Sequence, residues 1–474
     1  MKDYKLYIDG EWIETGEWAE IEDKYTGEVF ARIPIANETF VDKALEAAEK
    51  ATSVVADMPI HKRAAILEEI AHKITERSEE IAEIIALEAG KSWKYAIGEA
   101  TRARETFTFA ADVARNLHGE TVPMDASTAG EDRFGFWIRE PVGVVAAITP
   151  FNFPLNLVAH KVAPAIAAGC PVVLKPAGTT PVTAAILAEI IDSTDLPKGA
   201  FNLVHGSGSK IGKQIVKDSR PAKISFTGSV EVGKWIKENS DLKRVTLELG
   251  NNSPVVIDEN ADIDLAVERC LMGSFANSGQ VCISVQRIYV HENVWEEFKG
   301  KFVEGTEKLK VCHPLEKDGD VGPMISIPEV DRITDWVDNA VKGGAEVLAG
   351  NGRINQRVYS PTVLTNVQQS SNVSCDEVFA PVVHIERVAS FEKGIQYAAE
   401  TGYGLQAGVF TRDINRAFKA VKSINVGGVM INDVPTYRVD HMPYGGNKQS
   451  GLGREGVKFA VEEMTQVKMV VINL

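Results

Sequence analysis

Metal-ligand spacing is absent from the chain: its nine histidines form no H-x-x-x-H or H-E-x-x-H pattern, so a catalytic metal has no support. Cysteine is scarce. The five thiols among 474 residues (Cys170, Cys270, Cys282, Cys312, Cys375) are odd in number, far apart and without a C-x-x-C pair. That pattern argues against a disulfide framework and a zinc knuckle and suits a reducing cytosol. No run of about 18 apolar residues occurs, and the opening MKDYKLYIDGEW lacks the apolar stretch of a signal peptide, so the expected location is the cytoplasm. Positive charge is outnumbered, 51 Lys and Arg against 66 Asp and Glu for a net charge of -15. Such a surface repels phosphate backbones and anionic leaflets, which speaks against a nucleic-acid or membrane partner.

What is present reads as an ordinary large globular chain, 44% hydrophobic and 25% charged, long enough for about three domains of about 150 residues. A short alternating strand around Leu6 to Trp12 precedes a helical block from Asn37 to about Gly119, with Ile66, Ile70, Ile74 and Ile81, Ile84, Ile85 at helical spacing. From Arg133 onward the content turns β-branched and aromatic. Three strand-then-helix units follow: PVVLKPAG into TTPVTAAILAEIID, AFNLVHGSG into SKIGKQIVK, and AKISFTGS into VEVGKWIKE. In the first of these Thr180 is placed to cap the helix, with Pro181 at its first position. Apolar strands alternating with helices predict an α/β protein with a doubly wound parallel sheet. A second α/β block runs from about Ala261 to Met430.

Chemistry-bearing candidates are individually weak. The loops GSGSKIG (Gly206, Gly208, Gly212) and FTGSVEVG lie between strand and helix, where free N–H groups could meet a pyrophosphate. Neither is a G-x-G-x-x-G fingerprint, and an ordinary turn explains each equally well. Cys282 follows the polar turn NSGQV, which is expected to expose backbone, whereas Cys170 and Cys270 sit in apolar settings typical of inert packing. Glu248, between Leu247 and Leu249, is a carboxylate at an expected strand end, where burial would raise its pKa toward that of a general base. Asn152 in TPFNFP is held between Pro150 and Pro154, as an oxyanion donor or as a turn cap.

Taken together and in order, TPFNFP, LKPA, FTGSVEVG, LELG, FANSGQVC, EVFAPV and PYGGNKQSGLGREG resemble the NAD(P)-dependent aldehyde dehydrogenase superfamily, from IDGEW to the last glycine-rich motif. The likeness is to lactaldehyde and semialdehyde dehydrogenases in particular. It implies Cys282 as nucleophile, Glu248 as general base and Asn152 as oxyanion donor. It implies Lys175 at the adenine ribose, Ser229 at the pyrophosphate, Glu377 at the nicotinamide ribose and Phe379 beside the nicotinamide. The same motifs carry over Thr149, Pro150, Phe151, Gly178, Gly208, Gly212, Phe226, Thr227, Gly228, Val232, Leu249 and Gly250 as cofactor neighbours. Two departures stand out. Gly178 replaces a carboxylate common in NAD-preferring members, which would leave NADP tolerated beside NAD, and Asn251 replaces a usual glycine, with little catalytic consequence expected. His160 and Arg438 occupy positions that suggest a short aldehyde with a polar or anionic tail, or else a structural ion-pair arginine beside a satisfied wall histidine. The resemblance also implies a division into a dinucleotide-binding domain over 1–120 and 142–250, a catalytic domain over 251–455 and oligomerisation segments at 121–141 and 456–474, joined as a homodimer or homotetramer. Competing readings are a CoA-acylating aldehyde dehydrogenase, against which Glu248 counts, and a homologue that kept the fold but not the catalysis.

Overall fold

The computed structural model describes residues 1–350 and 352–474. Its first large sheet has eight strands, in the spatial order Gly451–Leu452, Arg244–Glu248, Pro221–Thr227, Val144–Ile148, Val172–Lys175, Phe201–Leu203, Leu6–Ile8, Glu11–Ile13. The five strands from Arg244–Glu248 through Phe201–Leu203 are parallel. Counted along the chain from Val144 they lie in the order 5-4-1-2-3. Strand direction of travel therefore reverses between Val144–Ile148 and Pro221–Thr227, and a crevice opens there at the carboxyl ends of the strands. These strands are almost wholly buried because helices cover both faces: Asn156–Ala168 is buried along its whole length, and Val182–Asp192 nearly so.

A second sheet of seven strands follows the order Glu346–Ala349, Thr362–Thr365, Val382–Val388, Arg287–His291, Pro254–Ile257, Gln406–Phe410, Gly428–Ile431. All its neighbours are parallel except the first pair. Two three-stranded sheets complete the fold, one from Lys2–Asp3, Val29–Pro34 and Trp18–Glu22, the other from Thr465–Asn473, Arg133–Pro141 and Glu120–Val122. Among the described residues no helix is long and apolar enough to cross a membrane.

Several expectations are corrected. The strand expected over Leu6 to Trp12 is a hairpin, Leu6–Ile8 against Glu11–Ile13. Asp9 (φ 54°) and Gly10 (φ 75°) make its two-residue turn, the conformation that an Asp-Gly pair favours. Thr180 does not cap the helix Val182–Asp192, and Pro181 lies just before it rather than within it. The cap comes from far along the chain: Glu88 accepts hydrogen bonds from the N–H groups of Val182 (2.8 Å) and Thr183 (3.0 Å) and from the Thr183 hydroxyl. A carboxylate at a helix N-terminus offsets the dipole better than a hydroxyl does, but one arriving through space leaves no local pattern. The segment Gly451–Leu452, inside the expected catalytic span 251–455, pairs with the edge of the first sheet. Of the segment 456–474, residues Val457–Glu463 are a helix, and the β arm begins at Thr465.

Candidate active site

The nucleophile candidate is delivered by an unusual turn. After the helix Ile263–Phe275, three successive residues, Asn277 (φ 51°), Ser278 (φ 55°) and Gly279 (φ 69°), are left-handed. Two of the three are not glycine, a conformation that persists only where surroundings hold it. The turn is buried, not exposed as the polar sequence NSGQ implied, and its side chains are spent internally. The Asn277 amide donates to the carbonyls of Asn152 and Gln280 (both 3.3 Å), Ser278 donates to Gly322 O (2.8 Å), and Gln280 accepts from the Ile325 N–H (2.9 Å). At Gly279 a Cβ would lie 2.0 Å from the Ala380 carbonyl, so only glycine fits.

This turn places half-buried Cys282 in the wall of a cavity of about 400 Å³, together with Phe153, Asn156, Leu157, Thr436, Arg438 and Tyr444. Asn152 is brought to the same turn, its amide donating to Gln280 O at 2.9 Å. Burial pushes the Cys282 thiol up to about 12, against a lowering hydrogen bond from Tyr444, so the resting sulfur is protonated. Glu248 ends the strand Arg244–Glu248 and is 3% exposed, with neither carboxyl oxygen hydrogen-bonded. Burial, and then Glu455, raise its pKa well above 4.5. Burial also works to raise Glu455, but Lys161 (2.7 Å) and Arg438 (3.3 Å) outweigh it and keep that carboxyl ionised. The two acids are thus driven apart, one neutral and one charged, the arrangement that equips a carboxyl to exchange protons near neutral pH.

Sequence reasoning assigned His160 and Arg438 to the substrate, and the structure separates them. Arg438 lines the cavity, buried, with its Nε unpartnered. His160 is wholly buried behind that wall, its Nε2 2.8 Å from Asp440 and 3.1 Å from Arg438, so it braces the arginine and does not reach the cavity. Further cations were missed: Arg102, on the helix Trp93–Arg115, lines the same cavity with Lys91 and Lys94 and is held by Asp440 through two hydrogen bonds (3.1 and 2.7 Å). Nothing in WKYAIGEATRARE marks Arg102 apart from an ordinary surface arginine; only the carboxylate 338 residues away does.

The cofactor candidates gather at the crevice of the first sheet. Thr149, Pro150 and Phe151 follow the first parallel strand, while Gly228 and Ser229 follow the fourth, where Ser229 caps the helix Val230–Glu238 by accepting from the Val232 N–H (3.4 Å). Phe226 and Leu249 are buried beneath, and a Cβ on Gly228 would strike the Phe226 ring at 2.5 Å. Lys175 is buried, its pKa lowered to about 8 by burial, with its stem passing 3.7 Å from where a Gly212 Cβ would sit. Val232 is exposed, and Gly178 and Gly208 have open space around them. Glu377 accepts from the Asn251 N–H (3.0 Å), and burial raises its pKa to about 7. A Cβ on Gly250 would meet its carboxylate. Phe379, left-handed at φ 47°, meets Phe151 edge-on at 5.7 Å. A buried lysine bonded only to the Pro176 carbonyl and the orphaned Thr149 hydroxyl are donors awaiting a partner, so the crevice fits a dinucleotide. Thr227 differs, because its hydroxyl is taken by Lys161 at 2.8 Å. Asn251 carries more than the sequence suggested, bonding Ser253 (2.7 Å), Gln406 O (3.3 Å) and the Leu405 N–H (3.3 Å).

Against known proteins, the aldehyde dehydrogenase family profile matches residues 12–470. The chain is 44% identical over 474 residues to a 3-sulfolactaldehyde dehydrogenase of Priestia aryabhattai, covering 100% of this chain and 99% of that one. Aldehyde dehydrogenase 21 of Physcomitrella patens, solved with the reaction product succinate, superposes with a TM-score of 0.97 at 40% identity, covering 100% of this chain and 98% of that one. Glyceraldehyde-3-phosphate dehydrogenase GapN of Methanocaldococcus jannaschii, solved with NADP, does so at 0.92 and 41%, covering 96% and 99%.

Proposed function

The chain belongs to the aldehyde dehydrogenase family, and we propose from that premise that it oxidises a short aldehyde bearing an anionic tail to the carboxylic acid. The observation that carries this reading is the pairing of Cys282 with two arginines in one cavity, Arg438 having a buried Nε without a partner. A buried guanidinium donor left unmet costs about 1–3 kcal/mol, which an anionic group on a substrate would recover. Relatives that act on a sulfonated aldehyde or release succinate fit the same chemistry.

In this reading the Cys282 thiol gives up its proton to solvent and adds as thiolate to the aldehyde carbon, and the oxyanion forms against the Asn152 amide and the Cys282 N–H. Lys175, Ser229 and Glu377 would hold NAD(P), which when bound would supply the hydride acceptor. Glu248, after releasing to solvent the proton that burial holds on it, takes a proton from the water that attacks the resulting thioester; the carbon–sulfur bond breaks with its electron pair returning to Sγ. Gly178 leaves space and no carboxylate beside Lys175, which favours use of NADP at least as well as NAD. The five thiols, none disulfide-bonded, suit a cytoplasmic setting, and the apolar β arm suits a homodimer or homotetramer.

The test is reduction of NAD or NADP, followed by absorbance, with aldehydes of equal length ending in sulfonate, carboxylate, phosphate or methyl, with and without CoA. Anionic tails should be preferred, with free acid as product and Cys282→Ala silent. Equal rates for the methyl-ended aldehyde would remove the anionic-tail assignment, and CoA-dependent turnover would favour the acylating alternative.

A further inference from the structure

We propose that Tyr444 is a catalytic residue whose phenol donates a hydrogen bond to the Cys282 sulfur whenever that sulfur carries charge, as attacking thiolate and again as the thiolate leaving the thioester. The second role rests on the dehydrogenase reading above; the first requires only the thiol.

Tyr444 Oη lies 3.0 Å from Cys282 Sγ. The ring is fixed from several sides. The Arg438 guanidinium sits 3.7 Å from its centroid, its apolar neighbours include Val281, Ile283 and Leu405, and its backbone exchanges two hydrogen bonds with Glu455 (3.0 and 2.6 Å). A phenylalanine would fill the same space with no buried hydroxyl to satisfy, so the hydroxyl is explained by its partner. A cation over the ring draws electron density from it and strengthens the O–H as a donor. Burial keeps the phenol protonated, and burial also makes the neighbouring thiolate costly. A pre-positioned charge-assisted hydrogen bond lowers that cost without transferring a proton. When the sulfur adds to a carbonyl carbon its electron pair becomes the new carbon–sulfur bond and the hydrogen bond weakens. When that bond breaks the pair returns to sulfur and the hydrogen bond re-forms.

The experiment measures alkylation of the cofactor-free enzyme by iodoacetamide as a function of pH, with Cys282→Ala correcting for the other thiols. Tyr444→Phe should slow Cys282 alkylation by about ten-fold at each pH from about 7 to 9, as one pK unit does at constant reagent while the thiol stays mostly protonated. In turnover it should lower kcat more than it changes KM. A fluorinated tyrosine at position 444, isosteric and a stronger donor, should speed alkylation over the same range, and it serves if Tyr444→Phe folds poorly. Profiles that superimpose on the wild type overturn the assignment to Tyr444 while leaving the dehydrogenase reading intact. That reading instead fails if Cys282→Ala still turns over.

Discussion

Glu248 and Gly178 illustrate how one side chain sets a measurable property. Glu248 is buried with both oxygens unpaired, and its pKa is raised above 4.5. The folded chain therefore holds this proton at pH values where the unfolded chain has lost it, so stability falls as pH rises from 4.5 toward the folded value. Glu248→Gln should melt higher than the wild type at pH 8, with the difference vanishing near pH 4. The same variant should give a burst of reduced cofactor and then stall, because the thioester lacks its base. A variant that melts no higher at pH 8 would mean that the carboxyl is not buried neutral, and steady turnover would remove it from deacylation. At Gly178, exposed and with nothing within 4 Å of an added Cβ, a glutamate fits and would repel a 2′-phosphate. Gly178→Glu should shift the kcat/KM ratio toward NAD by about ten-fold, or ~1.4 kcal/mol; an unchanged ratio would place selection elsewhere. Cys282, Glu248 and Asn152 stand out only through the ordered series of motifs, since each short string taken alone reads equally as packing, surface or turn. The partners of Arg102, His160 and Asn251 leave no local pattern, because they lie far away in sequence: Asp440 for the first two, and Leu405 and Gln406 for the third.

At the scale of elements, the parallel strands of the first sheet were legible from apolar runs such as PVVL, whereas AKISFT alternates buried Lys223, Ser225 and Thr227 with apolar residues, their polar atoms met by Thr246 and Lys161. The hairpin at Asp9 and Gly10 was also written in the chain, and was overlooked because each of its strands spans only three residues. The cap of Val182–Asp192 was not legible, for Glu88 lies 94 residues before the first N–H it satisfies. Glu88→Ala should strand the N–H groups of Val182 and Thr183 in a buried setting and lower stability by about 2 kcal/mol or more. It would be read as a reduced urea midpoint, with Glu88→Gln, which keeps an acceptor, falling less. Burial raises the Glu88 pKa to about 7, so its charge-assisted share of the cap grows as pH rises past neutrality. Equal midpoints for the alanine variant and the wild type would show that the helix end is satisfied by other means.

The whole molecule presents apolar surface that a monomer of net charge -15 does not need. The strand Thr465–Asn473 pairs with Arg133–Pro141 over nine positions and leaves its other edge open, while Phe134, Ile138, Val467, Met469, Val471 and Ile472 are exposed along the two strands. A second unpartnered region lies on the helix Ile414–Ser423, where Ile414, Phe418 and Val421 are exposed at i, i+4 and i+7 beside the edge strand Gly428–Ile431. Open edges and apolar faces of this extent invite aggregation unless covered. With two such regions on one chain, a second copy is the economical cover, joined through symmetric contacts. The arm is rooted in the body: Arg244, which begins the strand ending in Glu248, donates to Thr465 O at 2.7 Å. Placing lysines at Val467 and Val471 should therefore give a species near the 51.6 kDa chain mass by light scattering at micromolar concentration, where the wild type gives twice or four times that mass. Because Cys282, Tyr444 and Arg438 are packed together within the chain, the monomeric variant should still be alkylated at Cys282, but it should unfold at lower temperature through loss of the interface. A wild type that already scatters as a monomer would refute the assembly, and the exposed arm would then need a different partner.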